Sequence, residues 1–336
     1  MLKVKSKNRG ILLTGGHAAT TAISVVEELI RKYGKEGINI SWIGTRFPIE
    51  GKEIGGLELK IFSEIKVKSY FFKLPISFIR AVYFILKIKP DVTLSFGGFA
   101  AFPVVFASWL FRIPVIIHEQ TIALGLANKL SSIFAKEILL AKVVGNPVMT
   151  QICEVEAKQT ISNPPVIFIM GGSRGSEKIN DAVFSILPKL LEKYKIIHIT
   201  GEAHFNKFAG IKDDNYQCFS FVSPLEIDNL YREADIVVSR SGANTVAELM
   251  IVKRPAILIP IPWSHQNEQA ENAKIACNFG VARILPQENL SGRRLQIEIE
   301  KIIQDWDEIT SKIKSKYSND FSASSKVVDI LEKYLK

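Results

Sequence analysis

Val166-Ile167-Phe168-Ile169-Met170-Gly171-Gly172-Ser173-Arg174-Gly175-Ser176 runs five apolar residues into a glycine-rich turn, and a segment of helical period follows. A run with no polar alternation suits a strand buried on both faces, as in the middle of a parallel sheet. Working outward, the same unit recurs: apolar runs at 195–200, 217–222, 236–239 and 256–259 alternate with helical segments. The first half repeats it with runs at 10–14, 38–43, 92–95, 115–118 and 137–140, and with helical stretches at 21–33 and 100–110. This alternation predicts α/β architecture with two doubly wound, Rossmann-like domains. Gly145-Asn146-Pro147 ends the first, Asn163-Pro164-Pro165 opens the second, and residues 146–164 between them form the linker. The expected limits are therefore 1–145 and 165–318, with a tail that is helical by period and charge from 295 onward, in pieces near 305–316 and 323–335.

The totals fit that reading. A chain of 336 residues with 47% hydrophobic and 23% charged residues can bury two cores. Cys153, Cys218 and Cys277 form no CxxC pair, so neither zinc nor a disulfide framework is indicated, and they read as buried thiols in a reducing compartment. The basic start runs directly into a strand and lacks a signal-peptide core. The greasiest stretch, 92–111, is interrupted by Thr93, Ser95, Gly97, Gly98, Pro103 and Ser108, a poor match to the roughly 20 apolar residues of a spanning helix. A net charge of +9 favours anionic partners, among which charge alone does not choose.

Ligands of open parallel sheets bind at the carboxyl ends of strands, where glycine turns feed helix N-termini. The turns here are Thr14-Gly15-Gly16-His17, Phe96-Gly97-Gly98-Phe99, Gly171 to Ser176, and Ser239-Arg240-Ser241-Gly242-Ala243. Backbone amides in such turns can approach an oxyanion, and a diphosphate lying in a cleft between the domains is the natural guest. Any one of them is equally a tight turn that binds nothing. There is no Walker lysine loop and no full GxGxxG. Thr245 and Glu248 lie three apart on one helix face, so Glu248 can accept hydrogen bonds from a ribose or simply complement the helix dipole. Residues 264–269 form a polar cluster suited to sugar hydroxyls or to a solvated loop.

For acid and base work the candidates are His17, His118 and Glu119, at the ends of first-domain strands. His198, flanked by isoleucines, reads as core, and His204 and His265 as loop residues. With no Asp-x-Asp pair, the expected metal is none, and a leaving group falls to backbone dipoles and to Arg174 or Arg240. Residues 66–90 interleave aromatic and aliphatic side chains with lysines and arginine. That mixture suits an interfacial helix or a helix packed on the sheet with a solvated basic rim; the second is expected for the helix as a whole, with Phe71, Phe72 and Lys73 as its exposed, membrane-contacting part.

Taken in order, Thr14-Gly15-Gly16-His17, Ser95 to Phe99, Ile113 to Gln120, Gly145 to Val148, Gly171 to Ser173, Arg240 to Ala243 and Thr245 to Glu248 resemble the MurG family of UDP-N-acetylglucosamine transferases. The resemblance implies the GT-B fold, two Rossmann-like domains facing across a cleft, with the C-terminal helix (319–336) returning to the first. It implies an inverting, cofactor-free transfer of GlcNAc from UDP-GlcNAc to the C4 hydroxyl of a polyprenyl-diphosphate-linked muramyl peptide. The place would be the anionic cytoplasmic face of a membrane, bound peripherally, with no nucleic acid as partner. Carried over, the donor site comprises Gly172, Ser173, Val222, Ser241, Gly242, Ala243, Asn244, Thr245, Glu248, Glu268 and Gln269. Within it Glu248 holds the ribose, the Val222 backbone the uracil, and Gln269 with Glu268 the sugar hydroxyls. By the same resemblance Thr14, Gly15, Gly16, Thr121 and Asn128 would line the cleft, Gly97 and Gly98 would hold the acceptor diphosphate, and His17 and Glu119 would stand nearest the chemistry. Thr121 and Met149 depart from the family's asparagine and arginine; methionine cannot donate to phosphate, so that contact is lost or comes from another cation such as Arg174. Competing readings are transfer to diacylglycerol, a UDP-GlcNAc epimerase, and a UDP-sugar-binding protein without activity.

Overall fold

The computed structural model describes residues 9–16, 19–44, 60–64, 74–121, 124–172 and 175–336. Its chain falls into two compact units, 1–150 together with 319–336, and 151–318.

Among the described residues, the first unit holds six parallel strands: β1 (Arg9–Gly15), β2 (Ile38–Gly44), β3 (Lys60–Glu64), β4 (Val92–Ser95), β5 (Val115–Glu119) and β6 (Glu137–Leu140), in the order β3-β2-β1-β4-β5-β6. Ile11, Leu12 and Leu13 are fully buried because helices cover both faces of the central strand, which is why β1 carries no polar alternation. The sheet order reverses between β1 and β4, and that is where the turns after them, Gly15-Gly16 and Gly97-Gly98, meet: the Gly16 amide donates to the Gly97 carbonyl at 2.9 Å.

The second unit repeats the plan with β7 (Val166–Met170), β8 (Lys195–Ile199), β9 (Tyr216–Phe219), β10 (Ile236–Ser239), β11 (Ala256–Leu258) and β12 (Ala282–Ile284), ordered β12-β11-β10-β7-β8-β9. Its reversal lies between β7 and β10, so the turns at 171–172 and 240–242 leave the sheet side by side. The hydrophobic core joins β7, β8, β10 and β11 to the helices Glu177–Phe184 and Gly292–Gln304.

The last helix, Ala323–Glu332, packs on the helix Ala19–Tyr33 of the first unit. Lys32 bridges Asp329 and Glu332 at 2.8 Å each, and the buried Asp320 carboxylate accepts the Asn146 amide at 2.7 Å.

Strands β3 and β12 lie outside the apolar runs expected from the sequence, because Lys-Ile-Phe-Ser-Glu and Ala-Arg-Ile are short and carry charge. The run expected to reach Val222 ends at Phe219, and the helix expected at 100 begins at Phe102, after Gly97 and Gly98 take φ of 80° and 87°. The three cysteines are half-buried rather than buried. No helix among the described residues is long and apolar enough to cross a membrane.

Entry into the second unit is fixed by Asp235, fully buried. It accepts the Val166 amide at 2.7 Å, the Ser162 amide at 3.1 Å and Lys158 Nζ at 2.8 Å. Removing one partner of a buried charge strands the other donors, so Asp235→Ala should destabilise the protein by about 3–5 kcal/mol. The check is the midpoint of chemical denaturation, which should fall for Asp235→Ala and hold for the exposed control Glu192→Ala.

Candidate functional site

In the second unit the helix Ala243–Val252 starts straight after β10. Its N-cap is Gly242, which has no side chain, so the residue before the helix supplies no capping oxygen. Gly242, Ala243, Asn244 and Thr245 are all partly exposed. The helix that follows Gly171 and Gly172 begins differently: the Ser176 hydroxyl caps it, accepting the Ile179 amide at 3.4 Å. Of the two turns at this reversal, the one at Gly242 therefore has no side-chain cap and presents the positive end of a helix dipole to an anion.

Glu248 sits one turn inside the uncapped helix, half-buried, with Oε2 accepting the Tyr231 hydroxyl at 2.8 Å. Burial pushes its carboxyl up to about 7, and the Tyr231 bond pulls the other way. Gln269 is tied to the same face: its carbonyl accepts the Ser241 hydroxyl at 2.7 Å, and its Oε1 accepts the Ile261 amide at 3.1 Å. The Gln269 carboxamide thus keeps its NH2 donors turned away from Ile261. Glu268 is half-buried beside it, at the start of the helix Glu268–Phe279. Val222 lies in the loop after β9, partly exposed. Ser241 itself is fully buried and serves the loop rather than its surface.

Arg240 turns inward. Its guanidinium donates to the Ile259 carbonyl at 2.9 Å, to Ser176 Oγ at 2.8 Å and to Gln287 Oε1 at 2.6 Å, and only 8% of the residue is exposed. The expectation that it meets a leaving group directly is corrected: it staples three loops from beneath.

In the first unit Glu119 ends β5 and is 6% exposed. Its Oε1 accepts the Thr121 amide (3.1 Å) and hydroxyl (2.8 Å); Oε2 accepts the Gly125 amide (3.1 Å) and Asn128 Nδ2 (2.8 Å). A carboxylate already holding four donors ties Thr121, Gly125 and Asn128 together. Thr121 and Asn128 are brought together through it, and the Asn128 side chain fills the space where Gly97 has no Cβ. The Gly97 amide is spent on Ser95 Oγ at 3.2 Å, so at this turn the exposed glycine is Gly98. Gly15 is buried and Gly16 partly exposed. Thr14 is fully buried with its hydroxyl unpartnered, so its side chain stands inside the wall rather than on it. His118 is also fully buried; Nε2 donates to the Gly145 carbonyl at 3.0 Å, and burial lowers its pKa to about 4, which removes it from base chemistry near neutrality. His198 is core as expected, bonded to Tyr216 and Asn180. His17, Ser173, Arg174, Phe71, Phe72 and Lys73 lie outside the described residues. Among the described residues no three His, Cys, Asp or Glu side chains gather as a metal site.

The glycosyltransferase family 28 N-terminal domain matches residues 14–140 and its C-terminal domain residues 166–333. A UDP-N-acetylglucosamine–N-acetylmuramyl-(pentapeptide) pyrophosphoryl-undecaprenol N-acetylglucosamine transferase of Geobacillus kaustophilus is 36% identical, over 88% of this chain and 91% of the relative. The enzyme of the same description from Legionella pneumophila is 31% identical over 96% of both chains. The chain belongs to the MurG family. In fold it is similar to the crystal structure of Acinetobacter baumannii MurG, with a TM-score of 0.72 at 24% identity, covering 97% of this chain and 99% of that one. UDP-GlcNAc 2-epimerase from Neisseria meningitidis is similar at a TM-score of 0.64 with 13% identity, covering 96% and 99%. Both likenesses concern the fold, GT-B; the sequence relatives separate the MurG family from the epimerases.

In this MurG-family chain Met149, at the family's arginine position, is 2% exposed and packs as a core side chain. Two groups escaped the sequence reading. Tyr231 sits in an ordinary amphipathic segment, and nothing in its spacing to Glu248 announces their contact. The cap at Ser176 was legible in principle, since a serine precedes an acidic helix start there.

The four-donor arrangement around Glu119 gives a direct test. Glu119→Gln turns one acceptor oxygen into a donor facing donors, and should cost about 1–3 kcal/mol. Thermal melting should show the loss, and Glu119→Asp, which keeps the charge on a shorter side chain, should lose less.

Proposed function

We propose that this chain transfers N-acetylglucosamine from UDP-GlcNAc to the C4 hydroxyl of the muramyl sugar in a polyprenyl-diphosphate-linked muramyl peptide, with inversion, producing the lipid-linked disaccharide of cell-wall synthesis. The observation that carries this reading is the uncapped start of the helix Ala243–Val252 with Glu248 one turn inside it. A diphosphate placed there meets the amides of Ala243, Asn244 and Thr245 and the positive end of the helix dipole, worth about 0.3–1 kcal/mol at an exposed site and up to about 2 when partly buried. Charge grows on the leaving UDP as the sugar departs, so the same donors act most strongly in the transition state. Glu248 accepts from the ribose, the Val222 backbone reads the uracil, and Gln269 donates to GlcNAc hydroxyls with Glu268 beside it; Gly172 and Ser173 border the diphosphate.

On the acceptor side, Gly98 offers an exposed amide to the acceptor diphosphate, while Asn128 and Thr121 are set by Glu119. With both Glu119 oxygens engaged, we assign the base to His17, which takes the proton from the acceptor hydroxyl as its oxygen attacks the anomeric carbon and UDP leaves.

The same reading places the enzyme on an anionic membrane surface at its cytoplasmic face. It is supported by the helix Leu74–Ile88, on which Ile76, Ile79, Tyr83 and Leu86 are all at least half exposed beside Arg80 and Lys87, and by exposed Trp109 and Leu110. The rim of this helix is thus apolar as well as basic, where a solvated basic rim was expected. A lipid-contacting face also suits a diacylglycerol acceptor, the second reading.

Incubation of the protein with labelled UDP-GlcNAc and the lipid-linked muramyl peptide should give a disaccharide lipid, while diacylglycerol in its place should give none; the reverse result selects the second reading. His17→Ala should lower kcat by about 100-fold or more with little change in UDP affinity. Because ionised Glu248 is the stronger acceptor for the ribose hydroxyls and burial raises its carboxyl to about 7, UDP affinity should weaken as the pH falls below neutral and level off above it. Calorimetry from pH 5.5 to 8.5 checks it. Cosedimentation with vesicles containing phosphatidylglycerol should be lost in Ile79→Glu/Tyr83→Glu and in high salt.

A further inference from the structure

We propose that Tyr231 is a positioning residue for the nucleotide: its buried hydroxyl holds one oxygen of Glu248, so that the carboxylate stands in a single orientation toward the ribose diol. This rests on the reading of Glu248 as the ribose acceptor.

Glu248 has three rotatable side-chain bonds, and a free glutamate would lose that freedom only on binding, weakening it. Here it is lost beforehand. Tyr231, in the helix Ile227–Glu233, is fully buried, and its hydroxyl lies 2.8 Å from Glu248 Oε2. The phenol ring is itself held, edge-on to Phe168 of β7 with ring centroids 5.6 Å apart. The two helices that carry the pair are locked at their far ends by one side chain. Arg254, 2% exposed, donates from Nε to the Tyr231 and Ala234 carbonyls at 3.1 and 2.9 Å and from its terminal nitrogens to the Val252 and Glu156 carbonyls at 2.7 and 2.9 Å. A guanidinium thus ties the end of the tyrosine helix to the end of the glutamate helix, and a hydrogen bond ties their middles. Functional groups held in this way keep their geometry when a ligand arrives.

The phenol also sets the charge of Glu248. As a donor it favours the carboxylate against the burial that disfavours it. Glu248 is the one ionisable residue of its own helix. On the tyrosine helix Asp228 pairs with Arg232 at 3.4 Å, and Glu233 follows at its end. On the packed helix Glu268–Phe279, Lys274 pairs with Glu271 at 2.6 Å, and Glu268 stands at the first position. The Arg254 cation engages backbone carbonyls. The Tyr231 hydroxyl is the group that hydrogen-bonds Glu248.

The consequence is specificity for ribose. An oriented, ionised carboxylate accepts from a ribose hydroxyl that 2′-deoxyribose lacks, so removing the phenol should blunt that discrimination while sparing contacts to base and diphosphate. Affinities for UDP and 2′-deoxy-UDP are measured on the full chain by calorimetry from pH 5.5 to 8.5, for wild type, Tyr231→Phe, Glu248→Ala and the double variant. The expected result is that Tyr231→Phe lowers the preference for UDP over 2′-deoxy-UDP by about fivefold and moves the pH midpoint of UDP binding up by about half to one unit. In the Glu248→Ala background the phenylalanine should add nothing further. An unchanged preference and midpoint in a folded Tyr231→Phe protein, or equal losses with and without Glu248, would overturn the proposal while leaving the ribose reading in place. If Glu248→Ala binds UDP as tightly as wild type, the ribose reading fails and the proposal with it.

Discussion

A helix that begins without a side-chain cap turns its first amides and its positive dipole end toward whatever lies before it, and in this chain that happens where the second sheet reverses its order. β10 delivers Ser241 and Gly242 to that point, Gly242 supplies no side-chain oxygen, and the helix Ala243–Val252 opens toward solvent. Had Gly242 been serine or aspartate, its own oxygen would have occupied the place of the anion. The neighbouring turn after β7 takes that other course through Ser176, so two loops of similar composition differ in what they can hold.

Buried charges keep that opening rigid. Asp235 gathers the linker and the start of β7, Arg254 closes the ends of two helices, and Arg240 joins the loops after β7, β11 and β12 from below. Two of these are guanidiniums that meet mainly neutral acceptors, and burial lowers the pKa of both. Such groups are expensive to bury and add little to stability in themselves. What they supply is a fixed frame for amides that must be in place before substrate comes. The first unit uses a carboxylate in the same way, Glu119 drawing four donors into one loop.

The strands were legible wherever they are buried on both faces, because Val166–Met170 and Ile11 to Leu13 have no polar residue to mislead the eye. Of the four edge strands among the described residues, β6 and β9 were still legible, whereas β3 and β12 were not, because Lys60–Glu64 and Ala282–Ile284 carry charged residues in short runs and an edge needs no continuous apolar stretch. At the site, glycine turns and the Thr245 to Glu248 spacing could be read because local geometry places them. What could not be read was the direction in which a polar side chain turns. Arg240 and His118 look functional in sequence and face inward in the fold, and Tyr231 looks ordinary yet touches Glu248. Those outcomes depend on residues distant in the chain, which periodicity does not carry.

The account stands on the amides at the start of one helix receiving a diphosphate. Hydrogen–deuterium exchange of the full chain with and without UDP tests it most directly. UDP should slow exchange at 242–246, with a smaller effect at 171–172 and none at 97–98. Unchanged exchange at 242–246 under saturating UDP, or protection confined to the first unit, would contradict it.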